Sequence, residues 1–166
     1  MSTLSVDTIQ GKTTAGTVAM PAGMVIQVVE GTLNSNSQFS TSSVTLADTG
    51  LTVQITPKFS SSKILVLLQG FGGADANNTA LKVQVQRDIG GGGYNMITGG
   101  GFWYPTNSYN SIGLNKLDSP NTTSLITYKV QGHLSQASGT AYLPGNWASS
   151  YTALGFVTLT AQEIKQ

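Results

Sequence analysis

The sequence predicts an all-β chain, an antiparallel β-sandwich of jelly-roll type, and three observations carry that expectation. From residue 24 onward, short apolar runs recur between clusters of Gly, Ser, Asn and Pro. Several runs alternate strictly between apolar and polar residues, which is the two-residue period of a strand with one buried face. No segment carries a long apolar stripe at helical spacing, so helix is expected to be minor.

Taken in chain order, Met24, Val25, Ile26, Val28 and Val29 are mostly β-branched and predict a largely buried first strand. The Asn/Ser run 34–37 predicts an exposed tip, and the Ser-rich stretches 38–43 and 59–63 predict loops. Leu51, Val53 and Ile55 alternate with Thr52, Gln54 and Thr56, and Pro57 ends that strand. The unbroken run Ile64, Leu65, Val66, Leu67, Leu68 predicts a central strand covered on both faces. Leu81, Val83 and Val85 alternate with Lys82, Gln84 and Gln86, and Ile126, Tyr128 and Val130 alternate with Thr127, Lys129 and Gln131. Both read as half-buried strands. Val157 and Leu159 share one face of a closing strand, with Thr158 and Thr160 on the other. Gly90–Gly93 and Gly99–Gly101 bracket residues 94–98 and predict a short ribbon between two hinges.

Composition narrows the function. The 166 residues suit one domain with an added arm: an N-terminal arm at 1–23 and a head at 24–166. Leu4, Val6 and Ile9 are the spaced apolar residues of the arm, too few to make a core, so the arm is expected to lie on another subunit or a larger assembly. Only 9% of residues are charged, where roughly a quarter is usual. With 18 Ser, 21 Thr, 10 Asn and 11 Gln, uncharged hydrogen-bonding groups must cover the surface. A hydrophobic content of 39% at net charge +1 argues against disorder. The eight Lys and Arg residues are scattered singly, which removes the footprint of a phosphate-backbone binder; no nucleic-acid partner is expected. Without cysteine and with one histidine, no metal site and no cofactor is expected. No basic and apolar leader opens the chain, and no apolar run approaches the ~20 residues of a helical span. The expectation is a chain made in the cytoplasm and not inserted in a membrane.

The seven acids are dispersed, and Asp88 and Asp118 read as strand-end or turn residues rather than a catalytic pair. No Gly-x-Ser-x-Gly elbow surrounds a serine, so His133 reads as a strand residue. Gly90–Gly93 lacks the Lys-Ser/Thr of a phosphate cradle. The densest chemistry is the aromatic segment Phe102, Trp103, Tyr104 and Tyr109, with Asn107 and Asn110 inside it and Trp147 later. Rings beside amides suit a subunit interface, or contact with a glycan through stacking and hydrogen bonds to hydroxyls.

The opening Leu4-Ser5-Val6-Asp7-Thr8-Ile9 resembles that of structural proteins of marine tailed phages, with Ser5 in place of the usual lysine. Asp48-Thr49-Gly50-Leu51, Ile55-Thr56-Pro57 and Ser61-Ser62-Lys63-Ile64 resemble the core signature of phage fibre or appendage head domains. Asp118-Ser119-Pro120, Thr127-Tyr128-Lys129-Val130, Gly139-Thr140-Ala141-Tyr142 and Leu159-Thr160-Ala161-Gln162-Glu163-Ile164 follow in the order of that family. The segment 90–109 departs from its pattern. The resemblance implies a non-enzymatic virion component, a homotrimer whose arm engages other virion proteins and whose head takes part in host attachment. A capsid decoration protein shares this plan, and a polysaccharide-degrading fibre enzyme is the rival of a different class.

Overall fold

The computed structural model describes residues 21–103, 108–145 and 155–166. Among these, ten strands form: β1 (Val25–Leu33), β2 (Phe39–Thr41), β3 (Ala47–Ile55), β4 (Lys63–Ala74), β5 (Ala80–Ile89), β6 (Asn95–Trp103), β7 (Ser108–Asp118), β8 (Ile126–Leu134), β9 (Ala141–Leu143) and β10 (Val157–Ile164). The described helix is one 3-10 turn at Ser35–Ser37, capped by the Asn34 side chain; it is the exposed tip that the Asn/Ser run predicts. The larger sheet runs β1-β10-β4-β7, and the short pair β9-β2 joins β4 where β10 has ended. The smaller sheet runs β3-β8-β5-β6, and all pairs are antiparallel. Two four-strand orders of this kind, exchanged between sheets by Greek-key connections, make a jelly roll. The fold class read from periodicity is the one observed.

The alternating residues build the core. Leu51, Val53 and Ile55 of β3, Leu81, Val83 and Val85 of β5, and Ile126, Tyr128 and Val130 of β8 point inward from the smaller sheet. Ile64, Val66 and Leu68 of β4 meet them from the larger sheet with Val157, Leu159 and Ala161 of β10. The polar alternates of β3, β8 and β10 remain on the outer faces, so the period of two is the burial pattern of the sandwich.

Four local expectations are corrected. Among the described residues β1 is an edge strand paired with β10; of its residues only Leu33 is fully buried, and Val25 and Val28 are exposed. Ile64–Leu68 is central in its sheet, but Leu65 and Leu67 lie half-buried on the outer face, where no described element covers them. Gly99–Gly101 is not a hinge: these residues sit inside β6, opposite Gln84, Val83 and Lys82, because the ladder with β5 runs on through them. The stretch 38–43 contains β2, held by three residues of β9 and by packing of Phe39 on the core.

β10 lies between the first strand and β4 over its whole length. Deleting residues 157–166 would leave β1 without a partner and open the core, so the truncated chain should show no cooperative thermal transition. Leu159→Ala should fold but lose about 2–5 kcal/mol, read from the denaturant midpoint.

Candidate functional site

The polar side chains of this chain divide between contacts that hold the sandwich and contacts that furnish one outer face. At one end, Arg87 of β5 donates to Asp118 of β7 at 2.7 Å, and the Tyr128 hydroxyl of β8 donates to the other Asp118 oxygen at 2.8 Å. This carboxylate joins the two sheets. Burial first, and the adjoining carboxylate second, push the Tyr128 hydroxyl far above its ordinary range. Asp88 closes the turn into β6: its carboxylate accepts from the backbone N–H of Gly91 and Gly93 at 3.0 and 2.6 Å. The positive φ of Gly90, Gly91 and Gly93 makes that turn accessible. Both acids are thus the strand-end and turn residues that the sequence suggests.

Further contacts of this kind follow. Asp75 accepts from the Thr140 N–H at 2.6 Å and from the Tyr142 hydroxyl at 3.3 Å. Gly139 precedes them at φ +73°, where a Cβ would collide with Asp75 and Ala76. The buried Thr49 hydroxyl donates to the Val130 carbonyl at 2.9 Å and accepts from the Leu51 N–H, fixing the irregularity in β3. Glu163 is fully buried, and its Oε1 accepts from the Lys58 N–H at 2.8 Å. Its Oε2 and the Ser62 hydroxyl are buried without a partner among the described residues.

The two outer faces differ in character. On the larger sheet, one cross-strand row is Val28, Gln162, Leu65, Leu117, and the neighbouring row holds Val25 and Ile164. Val28 is 56% and Leu117 48% exposed. On the smaller sheet a row of hydrophilic residues crosses the strands: Asp48 opposite Gln131, Gln131 opposite Gln84, and Gln84 opposite Gly99. Gln84 donates to Gln131 at 3.0 Å, and Gln131 donates to Asp48 at 2.6 Å. Lys129 closes on Asp48 at 2.9–3.0 Å, and its ammonium lies 3.9 Å from the centroid of the Tyr94 ring. These bonds from Lys129 and Gln131 hold the Asp48 carboxyl below the usual carboxylate range. Among the described residues no cluster of three potential metal ligands occurs.

Of the aromatic segment, β6 carries Phe102 and Trp103 opposite Leu81 and Ala80, and β7 carries Tyr109 and Asn110 opposite Gly73 and Gly72. The two pairs therefore start on edge strands of different sheets. Tyr104, Asn107 and Trp147 lie outside the described residues, as do Leu4, Val6 and Ile9 of the arm. His133 sits on the central strand β8, its Nδ1 2.8 Å from the Leu134 carbonyl. Tyr94 and the amide row were not singled out by the sequence, although polar alternates that are mostly amides on two half-buried strands are a signal for such a face.

No protein-family model and no curated protein matches the chain. Among solved structures, it is similar to the infectious bursal disease virus VP2 subviral particle, at 15% identity over 85% of this chain and a TM-score of 0.48. The chain spans about a third of that protein's length (34%). It is also similar to a family 16 carbohydrate-binding module, at 15% identity, a TM-score of 0.35, and coverage of 63% of this chain and 70% of that one.

Tyr128→Phe removes the donor from a buried carboxylate oxygen and should cost about 1–3 kcal/mol, seen as a lower denaturant midpoint at unchanged slope. For Asp48, a depressed carboxyl contributes stability above its unfolded value of about 3.9 and loses that contribution as pH falls through the lower folded value. Lys129→Met should therefore move the Asp48 titration, followed by carboxyl NMR shifts, upward toward that unfolded value.

Proposed function

We propose that this chain is a non-enzymatic structural component of a tailed-phage virion, a homotrimeric fibre or appendage head that takes part in host attachment. One observation carries the reading. The residues through which the sequence resembles phage appendage heads include those that hold this sandwich together: Thr49, Asp118, Tyr128, Gly139, Thr140, Tyr142 and Glu163. A resemblance in polar contacts between separate segments of the chain is one of scaffold, since each such contact fixes their relative position. The described residues of the departing segment, 90–103 and 108–109, fall on the β5–β6 turn, on β6 and at the start of β7. A segment that departs from the resembled pattern, on a scaffold that follows it, is where a head of this kind would meet its host.

The carboxylates favour the non-enzymatic reading over the polysaccharide-degrading one. Asp75, Asp88, Asp118 and Glu163 each accept from backbone N–H groups or from a partner side chain of the scaffold, and Asp48 is taken up by Lys129 and Gln131. A glycosidase needs two carboxyl groups about 5–10 Å apart across an open cleft, free to exchange protons with substrate. The apolar row on the outer face of the larger sheet supports self-association, because exposed Val25, Val28 and Leu117 flank half-buried Leu65 and Ile164. The arm would engage another virion protein through Leu4, Val6 and Ile9. The segment with Phe102, Trp103, Tyr104 and Tyr109 would contact a host surface glycan, with Asn107 and Asn110 bonding hydroxyls and Trp147 packing at the subunit interface.

Two measurements test this. Sedimentation of the purified chain should give about three times 17.3 kDa, and Val28→Asp with Leu117→Asp should release folded monomers; a monomeric wild type overturns the trimer. Immunogold labelling of virus particles from the producing culture should mark a tail, fibre or appendage. Label spread over the capsid would make the chain a decoration protein, and unlabelled particles would remove it from the virion.

A further inference from the structure

The outer face of the smaller sheet holds an arrangement that the scaffold does not require. Tyr94 sits in the turn before β6, yet its ring meets the ammonium of Lys129 on β8, with β5 between them. Adjacent strands are about 4.8 Å apart, so the Tyr94 and Lys129 side chains between them bridge the width of β5 to meet. One face of the ring is taken by the cation. The residue is still 42% exposed, so part of it remains open to solvent. Met96, opposite Gln86 and 62% exposed, stands beside it as a second apolar surface.

Next to this platform runs the Gln84–Gln131–Asp48 row. Each carboxamide offers two N–H donors and a carbonyl with two lone pairs. The bonds within the row use part of that capacity and fix the orientation of the rest. At the edge strand the row ends on Gly99, which presents no side chain, so an extended ligand lying along the row can pass over β6 unobstructed. The charge of Lys129 is compensated by Asp48. Exposed Lys82, opposite His133, lies one row further along β5; within the row itself there remain an aromatic ring and oriented neutral amides, which fit the C–H faces and hydroxyls of a sugar chain.

We propose that this face binds an uncharged polysaccharide, with the Tyr94 ring as the stacking platform and Gln84 and Gln131 as the hydrogen-bonding strip. This deepens the attachment reading by naming a ligand class and a second contact surface; it rests on that reading for where the ligand is met.

The test is affinity electrophoresis of the full chain in gels containing dextran, mannan or laminarin, with dextran sulfate as the acidic comparison. At least one neutral polymer should retard the wild type. Tyr94→Ala should weaken that retardation about three- to tenfold, Gln131→Ala should weaken it as well, and Tyr94→Phe, which keeps the ring, should retain it. Thermal unfolding of each variant should stay cooperative, because Tyr94 contributes nothing to the core. Retardation by none of the neutral polymers, equal retardation of Tyr94→Ala and wild type, or retardation by dextran sulfate alone would each overturn the proposal. A failed gel with labelled virions removes this site and leaves the virion role; unlabelled particles with a retarded protein do the reverse.

Discussion

The rest of the molecule depends on the insertion of the last strand between the first strand and the fourth. β10 supplies a ladder to β1 on one side and to β4 on the other, and its Val157, Leu159 and Ala161 complete the inner face of the larger sheet. Strands that are neighbours in space are here remote in sequence, so the sheet forms only after most of the chain has been ordered. Glu163 belongs to the same constraint. Buried at the end of β10, it accepts from the backbone at Lys58 and ties the last strand to the connection between β3 and β4.

Within that frame, a chain with so few charges uses them sparingly. Asp118 links both sheets through Arg87 and Tyr128, Asp88 closes a glycine turn, and Asp75 fastens the loop before β9. The two buried carboxylates among these, Asp88 and Asp118, are matched by donors, because an unmatched buried charge would cost several kcal/mol. The Oε2 of Glu163 and the Ser62 hydroxyl, buried without a partner among the described residues, stand apart from this pattern. The structure gives no physical account of them.

The two sheets then present opposite exteriors. The larger shows a band of aliphatic side chains, with Val28 and Leu117 exposed. The smaller shows hydrogen-bonded amides, an internally compensated ion pair and a ring laid against the surface.

The sequence by itself determined the fold class and the phase of most strands. A period of two is a local property, and at Leu51–Ile55, Leu81–Val85 and Ile126–Val130 it fixes which side chains enter the core wherever the strand lies. Asp88 and Asp118 were legible as strand-end residues for the same local reason. The tertiary structure alone decided which strands stand at the edges. The β-branched run at 24–29 predicts burial, but burial depends on neighbours, and among the described residues β1 has one partner. It alone decided that Gly99–Gly101 continues a ladder, since the hydrogen bonds come from β5 and not from the glycines. The candidate face was illegible for a related reason. Gln84, Lys129 and Asp48 lie far apart in the chain, and they become neighbours through a cross-strand register that local sequence does not encode.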